Sequence, residues 1–395
     1  MSHALPLSTT LAIFCKVVDN YGDIGICWRM ARQLAGEHGV AVTLWVDDLA
    51  SFRRICPEVA PAAPEQRIAG VCVRHWQDQD GLFTPAQVAD IVIEFFACDL
   101  PPGYIAAMAQ RPVRPVWINY EGLSAEEWVE GCHTLPSPHP RLPLTKHFFF
   151  PGFSERTGGL LREADLDQAR LRFQADPAAR HAFLAPFGVT AAEMAALKVS
   201  LFCYPSAPVD ALLAAWRAHA DPVLCLVPEG VAAQAVAAFL GQDALPGACR
   251  TQGALTVRVL PFVPQPDYDR LLWACDLNIV RGEDSWVRAQ WAGRPFVWHI
   301  YEQDENLHHK KLRAFLQRYA GGAALDAFAL RWNGAWQGDC AALWAQLAAA
   351  LPALAVRAEA WQTAQRANGD VCSNLLAFAA VVSTGNQENS GIMPG

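Results

Sequence analysis

The chain has 395 residues, of which 52% are hydrophobic and 18% charged, so it is not intrinsically disordered and is long enough for about two domains. Its net charge of −8 and the lack of any Lys/Arg-rich run argue against nucleic acid as a direct partner. The twelve cysteines show no metal-ligand spacing, and neither a signal peptide nor an uninterrupted apolar run of about 18 residues is evident. We therefore expect reduced thiols, a cytoplasmic location and no membrane partner.

The chain opens with the pattern of a strand, a glycine turn and a helix. Residues 11–18 form an apolar run that predicts a buried strand, and apolar residues recur at helical spacing over 24–39. Between them, Asn20, Gly22 and Gly25 predict a turn whose backbone needs conformational freedom. Phosphate groups and reactive carboxylates are often located at such a turn, because free N–H groups and the helix dipole point outward there.

Two carboxylates, Asp19 and Asp23, flank this turn. Each has a purely structural alternative, since Asp23 could cap the helix and Asp19 could form a local turn. The glycines match neither the dinucleotide-binding fingerprint nor a phosphate-binding loop with its Lys-Ser/Thr pair. The turn predicts an α/β protein with a candidate site, but it does not identify a reaction.

Alternation of strands and helices continues through the first half of the chain. Further strands are predicted at 40–46, 68–74, 91–96 and 113–118, with helical segments such as 104–110 between them. This order predicts a doubly wound parallel sheet, in which ligands bind at the carboxyl ends of the strands. Glu94 and Glu121 would lie at that edge, although the sequence alone favours solvated loop acids for both.

A second alternating block follows a proline-rich and charged crossover near 155–190. Its strands are predicted at 199–204, 223–227, 257–260, 277–280 and 295–299, and its helices at 210–220, 231–240, 268–275 and 285–293. We predict two doubly wound domains, 1–185 and 186–365. A C-terminal helix and a frayed tail at 366–395 would follow, and packing against the first domain is one option for them.

The second candidate site is the run Arg281-Gly282-Glu283-Asp284-Ser285, where a predicted strand turns into a helix. Arg281 offers a fork of donors suited to phosphate, and the helix start exposes N–H groups that stabilise a diphosphate. Glu283 or Asp284 can accept hydrogen bonds from sugar hydroxyls. The structural alternative is that Asp284 caps the helix and Arg281 pairs with Glu283 on the surface.

Phe262 and Gln265 follow a neighbouring predicted strand. An aromatic face and an amide together suit a flat nucleobase, which needs stacking and hydrogen bonds to its edge. The alternative for Phe262 is a place in the core. The whole set, at adjacent strand ends, favours a nucleotide-binding site.

Several motifs together resemble the bacterial protein-arginine rhamnosyltransferases that modify translation elongation factor P. The resemblance spans about residues 11–379 and is carried by the segments 14–25, 117–121, 151–153, 158–161 and 281–285. It implies an α/β chain with two doubly wound Rossmann-like domains facing a cleft, the B-type glycosyltransferase fold.

The resemblance also implies roles for individual residues. Asp23 matches the general base, Asp19 its helper, and Glu283 an acid needed for activity and donor placement. The other matches are donor contacts: Arg281, Gly282, Asp284 and Ser285 at the diphosphate, Tyr204, Phe262 and Gln265 around the thymidine nucleotide, and Asn20, Tyr21 and Gly22 at the first turn.

The implied reaction moves L-rhamnose from dTDP-β-L-rhamnose to one arginine of elongation factor P, with inversion, and activates the factor for rescue of stalled ribosomes. No Asp-x-Asp motif in a metal-ligand context stands out, so we expect no metal and no other cofactor. Two alternatives stay open at this point. One is a nucleotide-sugar epimerase or glycosyltransferase of the same fold acting on a small molecule, and the other is a non-catalytic partner of a translation factor.

Overall fold

The computed structural model describes residues 9–19, 21–77 and 82–389. The chain divides into two compact units, Met1–Ala164 with Gln365–Gly395, and Asp165–Ala364. This division falls earlier than the boundary at residue 185 expected from the sequence, because the two helices that follow Ala164, Leu166–Ala175 and Pro177–Leu184, pack on a helix of the second unit.

The first unit is built on an eight-stranded sheet with helices between its strands. The strands are β1 (Thr10–Cys15), β2 (Ala41–Val46), β3 (Glu65–Ile68), β4 (Val71–His75), β5 (Ile91–Phe95), β6 (Val116–Tyr120), β7 (Pro136–Pro138) and β8 (Thr145–Phe149). The helices are α1 (Gly22–Gly36), α2 (Leu49–Ile55), α3 (Pro102–Gln110) and α4 (Trp128–Cys132). The spatial order β3-β4-β2-β1-β5-β6-β8-β7 is that of a doubly wound sheet with β1 at its centre.

The second unit is built on a six-stranded sheet of the same kind. Its elements are α5 (Leu166–Ala175), α6 (Pro177–Leu184), β9 (Leu197–Leu201), α7 (Val209–Arg217), β10 (Val223–Pro228), α8 (Ala233–Leu240), β11 (Cys249–Gln252), β12 (Leu255–Leu260), α9 (Gln265–Ala274), β13 (Leu277–Arg281), α10 (Asp284–Trp291), β14 (Phe296–His299), α11 (Leu307–Tyr319), α12 (Ala323–Trp332) and α13 (Cys340–Arg366). The strand order is β11-β12-β10-β9-β13-β14. The predicted fold class, two doubly wound α/β domains, is confirmed.

The sheets are mixed at their edges, where the sequence predicted only parallel strands. β3 pairs antiparallel with β4, β7 with β8, and β11 with β12. Residues 68–74, predicted as one strand, are interrupted by a two-residue turn in which Ala69 and Gly70 both have positive φ, +47° and +82°. Such a turn joins antiparallel strands, because a parallel crossover needs a much longer connection.

An aromatic cluster fixes β1 inside the first unit. The ring of Phe14 stacks on Trp45 with centroids 5.5 Å apart and meets Trp76 and Tyr104 edge-on. All four side chains are buried. Phe14 lies on β1, Trp45 on β2 and Tyr104 on α3, and Trp76 follows β4. Packing between rings from these separate elements fixes the carboxyl end of β1 in the first unit.

The last helix, α14 (Val371–Asn389), belongs to the first unit. The Val371 N–H donates to the carbonyl of Leu160, and Asn374 Nδ2 donates to the carbonyl of Gly158 at 3.1 Å. Gln33 on α1 donates to Asp370. The helix continues to Asn389, beyond residue 383, where the sequence predicted a frayed tail.

By length and composition, α13 is apolar enough to cross a membrane, and it is the one such helix in the described part of the chain. Only 22% of its most apolar window is buried. Trp344, Leu347 and Trp361 nevertheless pack into the second unit, and Trp361 Nε1 donates to Gln290 at 2.8 Å. These contacts place α13 on the second sheet domain.

Candidate active site

Each sheet has one point where the direction of winding reverses. In the first sheet β1 pairs with both β2 and β5, and in the second β9 pairs with both β10 and β13. Loops that leave two neighbouring strands toward opposite faces open a crevice there, and ligands bind in it at the carboxyl ends of the strands. Both predicted motifs follow central strands at these points.

Asp23 organises the loop that follows β1. Its Oδ2 accepts hydrogen bonds from the backbone N–H groups of Val18 and Asp19, at 2.7 and 2.8 Å. The alternative that Asp23 caps α1 is wrong, because the helix begins at Gly22 and its N-cap residue is Tyr21. β1 also ends at Cys15 rather than at Val18, since these loop N–H groups bond to carboxylates instead of to a neighbouring strand.

The carboxyl group of Asp23 is buried, with 8% of its surface exposed. Burial raises its pKa, and the nearby charges of Asp19 and Asp47 raise it further, while the two backbone hydrogen bonds lower it. A carboxylate with a raised pKa is a stronger proton acceptor than an exposed one, which suits a general base.

The other predicted residues of this turn lie close to Asp23. The Gly22 N–H donates to the Asp19 carbonyl at 2.7 Å, and the Gly25 N–H donates to the Tyr21 carbonyl at 2.9 Å. A Cβ on Gly22 would meet Asp19 Oδ2 at 3.1 Å, so a glycine lets the carboxylate of Asp19 lie close to the helix start. Asn20 lies outside the described residues.

Asp47 is a third acid at this edge, and the sequence analysis missed its role. It follows β2, and its Oδ1 accepts the Val17 N–H at 2.9 Å. The sequence signal that could have indicated this role is the position of Asp47 directly after β2, the strand next to β1, at the same edge of the sheet.

Glu94 is not the solvated loop acid that the sequence favoured. It lies within β5, is 1% exposed, and accepts hydrogen bonds from Trp117 Nε1 and Lys146 Nζ, each at 3.1 Å. Glu121 accepts a hydrogen bond from the buried Asn119 at 2.6 Å. Both acids are therefore tied to the sheet beside the candidate site.

The loop after β5 is strained at the same edge. Phe96, Ala97 and Asp99 have φ values of +52°, +51° and +56°, a region that non-glycine residues avoid. Asn119 Oδ1 accepts the Ala97 N–H at 3.0 Å and holds this conformation. Backbone strain of this kind is concentrated at functional sites, which is consistent with the winding reversal beside it.

The second motif centres on the guanidinium of Arg281, at the end of β13. It lies over the rings of Phe202 and Tyr204, 4.4 and 4.8 Å from their centroids, and donates to the Cys203 carbonyl at 3.4 Å. We call Phe202, Arg281 and Tyr204 the Arg281 stack. The alternative surface pairing of Arg281 with Glu283 is not what the structure shows, and Phe202 was missed in the sequence.

The start of α10 follows directly. Ser285 Oγ accepts the Arg281 N–H at 3.1 Å and donates to the Arg281 carbonyl. Gly282 has a φ of +61°, and Glu283 is the N-cap residue, with no side-chain capping bond. Asp284 is the first helical residue, so the alternative that it caps α10 is wrong.

Gln265 opens α9 and is buried, and its amide donates to Asp284 Oδ2 at 3.4 Å. Phe262 lies half-buried in the loop between β12 and α9. The two helices are joined by a buried ion pair, in which Arg288 donates to both carboxylate oxygens of Asp269 at 2.9 and 2.7 Å. The structure therefore brings together the predicted residues of the second unit at one edge of its sheet.

The described residues contain no group of three or more His, Cys, Asp or Glu side chains placed to hold a metal ion. All twelve cysteines are free thiols. The guanidinium of Arg281 and the N–H groups at the start of α10 are groups of the kind that bind anions in proteins.

Two doubly wound domains, one with acids and one with an arginine at the winding reversal of its sheet, have the architecture of the B-type glycosyltransferase fold. The particular family follows from comparison with known proteins. Residues 11–380 match the model of the elongation factor P (EF-P) rhamnosyltransferase EarP, and the chain belongs to this family.

Two curated relatives illustrate the similarity. A protein-arginine rhamnosyltransferase of Pseudomonas putida is 49% identical over 94% of this chain and 99% of its own length. One of Pseudomonas aeruginosa is 48% identical over 93% and 98%.

A solved structure described as the basis for EarP-mediated arginine glycosylation of translation elongation factor EF-P superimposes with a TM-score of 0.64. It is 36% identical and covers 94% of this chain and 98% of its own. Family membership makes the chain an enzyme, and the alternative of a non-catalytic partner is excluded.

Proposed function

We propose that this enzyme transfers L-rhamnose from dTDP-β-L-rhamnose to an arginine side chain of elongation factor P, with inversion at the anomeric carbon. The observation that carries the proposal is the buried carboxylate of Asp23 at the winding reversal of the first sheet, in a chain of the EF-P rhamnosyltransferase family. The acceptor is a translation factor, which supports a cytoplasmic location. Modification would activate the factor for rescue of stalled ribosomes.

The donor is held by the second unit in this proposal. The Arg281 stack and the N–H groups at the start of α10 bind the diphosphate, with Gly282 and Ser285 shaping the turn. Phe262, Gln265 and Tyr204 surround the thymidine nucleotide. Glu283 and Asp284 accept hydrogen bonds from sugar hydroxyls, which places the donor for reaction.

The acceptor is held by acids of the first unit. A guanidinium has a pKa above about 12, so it is a poor nucleophile until it is oriented and loses a proton. Asp19 holds the planar cation, and Asp23 takes the proton as the new bond forms. Tyr21, Gly22 and Asn20 at the same turn complete the contacts to the sugar.

The reaction balances as a single displacement. A guanidine nitrogen forms a bond to C1 of rhamnose while the bond from C1 to the diphosphate oxygen breaks, and the electron pair leaves on dTDP. The proton goes from nitrogen to Asp23. One displacement inverts a β donor into an α product, and we propose that Arg281 rather than a metal stabilises the leaving group.

The test is incubation of the chain with dTDP-β-L-rhamnose and purified elongation factor P, followed by intact-mass measurement and NMR of the modified peptide. The expected result is a gain of one deoxyhexose on an arginine, with an α linkage. An unchanged mass of the factor would contradict the activity, and a β linkage would contradict inversion. Substituting UDP-rhamnose for the donor tests the preference for thymidine.

A further inference from the structure

His299 lies at the end of β14 and is the residue paired with Arg281 in the parallel register of β13 and β14. It is 2% exposed. A histidine buried to this extent must have its ring nitrogens and its backbone polar groups satisfied by specific partners. Two of its hydrogen-bond partners, Tyr204 and Gly282, lie in loops that carry predicted donor contacts.

The imidazole bonds to the loop that follows β9. Nδ1 accepts the backbone N–H of Tyr204 at 3.1 Å, and the two rings meet edge-on with centroids 5.3 Å apart. An Nδ1 that accepts is unprotonated, so the ring is neutral with its proton on Nε2. Burial and the charge of Arg281 lower the pKa of His299 to about 3, which keeps the ring neutral at any working pH.

The backbone of His299 bonds to the loop that follows β13. Its carbonyl accepts the Gly282 N–H at 3.3 Å, and the preceding residue, Trp298, donates through Nε1 to the Gly282 carbonyl at 2.8 Å. One residue therefore connects Tyr204, whose ring lies against the Arg281 guanidinium, to Gly282, which follows Arg281 in the chain.

The backbone on both sides of His299 is held by hydrogen bonds to a buried asparagine. Asn333, which follows α12, accepts the Ile300 N–H at 2.9 Å and donates to the Trp298 carbonyl at 2.8 Å. The residues on both sides of His299 are thus held by one buried amide. A group whose neighbours are held in this way can transmit a defined geometry to the loops that it bonds.

We propose that His299 is a positioning residue, which sets the Arg281 stack by holding the Tyr204 N–H and the Gly282 turn in fixed relation. This inference rests on the proposed donor site. It assigns no contact between His299 and the donor, and it predicts that donor binding depends on an acceptor at the Nδ1 position rather than on the volume of the ring.

Two substitutions separate this role from simple core packing. His299→Asn keeps an acceptor near the place of Nδ1 but loses apolar volume, whereas His299→Leu fills the core and leaves the buried Tyr204 N–H without a partner. We expect the Leu variant to bind dTDP about tenfold more weakly and the Asn variant to bind within about threefold of the wild type. A packing role predicts the opposite order.

The measurement is calorimetric titration with dTDP, alongside KM values for dTDP-β-L-rhamnose and for elongation factor P. The expected result for His299→Leu is a rise in the donor KM with the acceptor KM unchanged. His219→Leu is the matched control, because His219 Nδ1 accepts the Asp221 N–H at 3.1 Å in the same unit, and we expect no change in donor binding. If His299→Leu fails to fold, His299→Gln, whose acceptor lies one bond further out, replaces it with the same expected loss.

The outcomes distinguish the proposed donor site from the proposed role of His299. Wild-type enzyme that binds no dTDP would overturn the proposed donor and, with it, the role of His299. Wild-type enzyme that binds dTDP while the folded Leu or Gln variant binds equally well would overturn the role of His299 alone.

Discussion

At the scale of single residues, the protonation state of Asp23 that favours the folded protein differs from the one that catalysis needs. Its folded-state pKa is raised by burial, so the folded protein favours the neutral acid, while the reaction needs the carboxylate. Because its pKa is raised on folding, the contribution of Asp23 to the free energy of unfolding is complete below the unfolded-state pKa of about 4. This contribution is lost as the pH rises through the folded-state pKa.

Asp23→Asn is therefore expected to unfold at a higher temperature than the wild type at pH 7, because the amide stays neutral and its oxygen still accepts the N–H groups of Val18 and Asp19. The difference should vanish toward pH 3, where wild-type Asp23 is also neutral. Thermal unfolding followed by circular dichroism across this range measures it. A variant that is less stable at pH 7 would show that the carboxylate charge supports the loop.

Arg281 offers a second test at this scale. Arg281→Lys keeps the charge but loses the planar fork that lies over the rings of Phe202 and Tyr204. We expect dTDP to bind about tenfold more weakly or worse, because lysine cannot make paired hydrogen bonds or stack on both rings. Calorimetric titration measures the dissociation constant, and affinity equal to the wild type would remove Arg281 from the diphosphate site.

At the scale of elements, α9 begins with Gln265 and α10 begins with Asp284 and Ser285, and the buried pair of Arg288 with Asp269 holds the two helices together. Arg288→Met leaves Asp269 buried without this partner, so we expect a loss of about 3–5 kcal/mol in the free energy of unfolding of the second unit. Denaturant unfolding measures it.

The matched control is the double variant Arg288→Met with Asp269→Leu, which removes both charges. It should recover part of the lost stability, because no unpaired charge remains. A double variant no more stable than Arg288→Met would mean that the two charges do not act as a pair.

The sequence predicted the central strands well, because their apolar runs are continuous and each is followed by a turn signal. It missed the edge hairpins β3–β4 and β11–β12, since the Ala69-Gly70 turn lacks the usual Asn or Asp and the edge strand β11 is mostly exposed. The sequence also could not predict contacts between side chains and groups on different strands. Glu94 with Lys146, and His299 with Tyr204, are separated by many residues along the chain and meet only in the folded sheet.

At the scale of the whole molecule, the first unit is completed by a helix from the end of the chain. Leu375 on α14 is fully buried, whereas Ala377, two residues on, is exposed. Leu375→Asp places a charge in the core and is expected to cost several kcal/mol, enough to unfold the first unit and abolish transfer.

Ala377→Asp is its matched control on the same helix, and we expect stability and activity near those of the wild type. Limited proteolysis and the transfer assay read out both variants. If Leu375→Asp keeps wild-type activity and protease resistance, α14 is dispensable for the first unit.

The central claim is that Asp23 accepts the guanidinium proton, and its most direct test is the rate of single-turnover rhamnose transfer by Asp23→Asn, with dTDP binding measured on the same samples. We predict a rate at least about 100-fold below the wild type with donor affinity unchanged. A folded Asp23→Asn enzyme that transfers rhamnose at the wild-type rate would contradict the account.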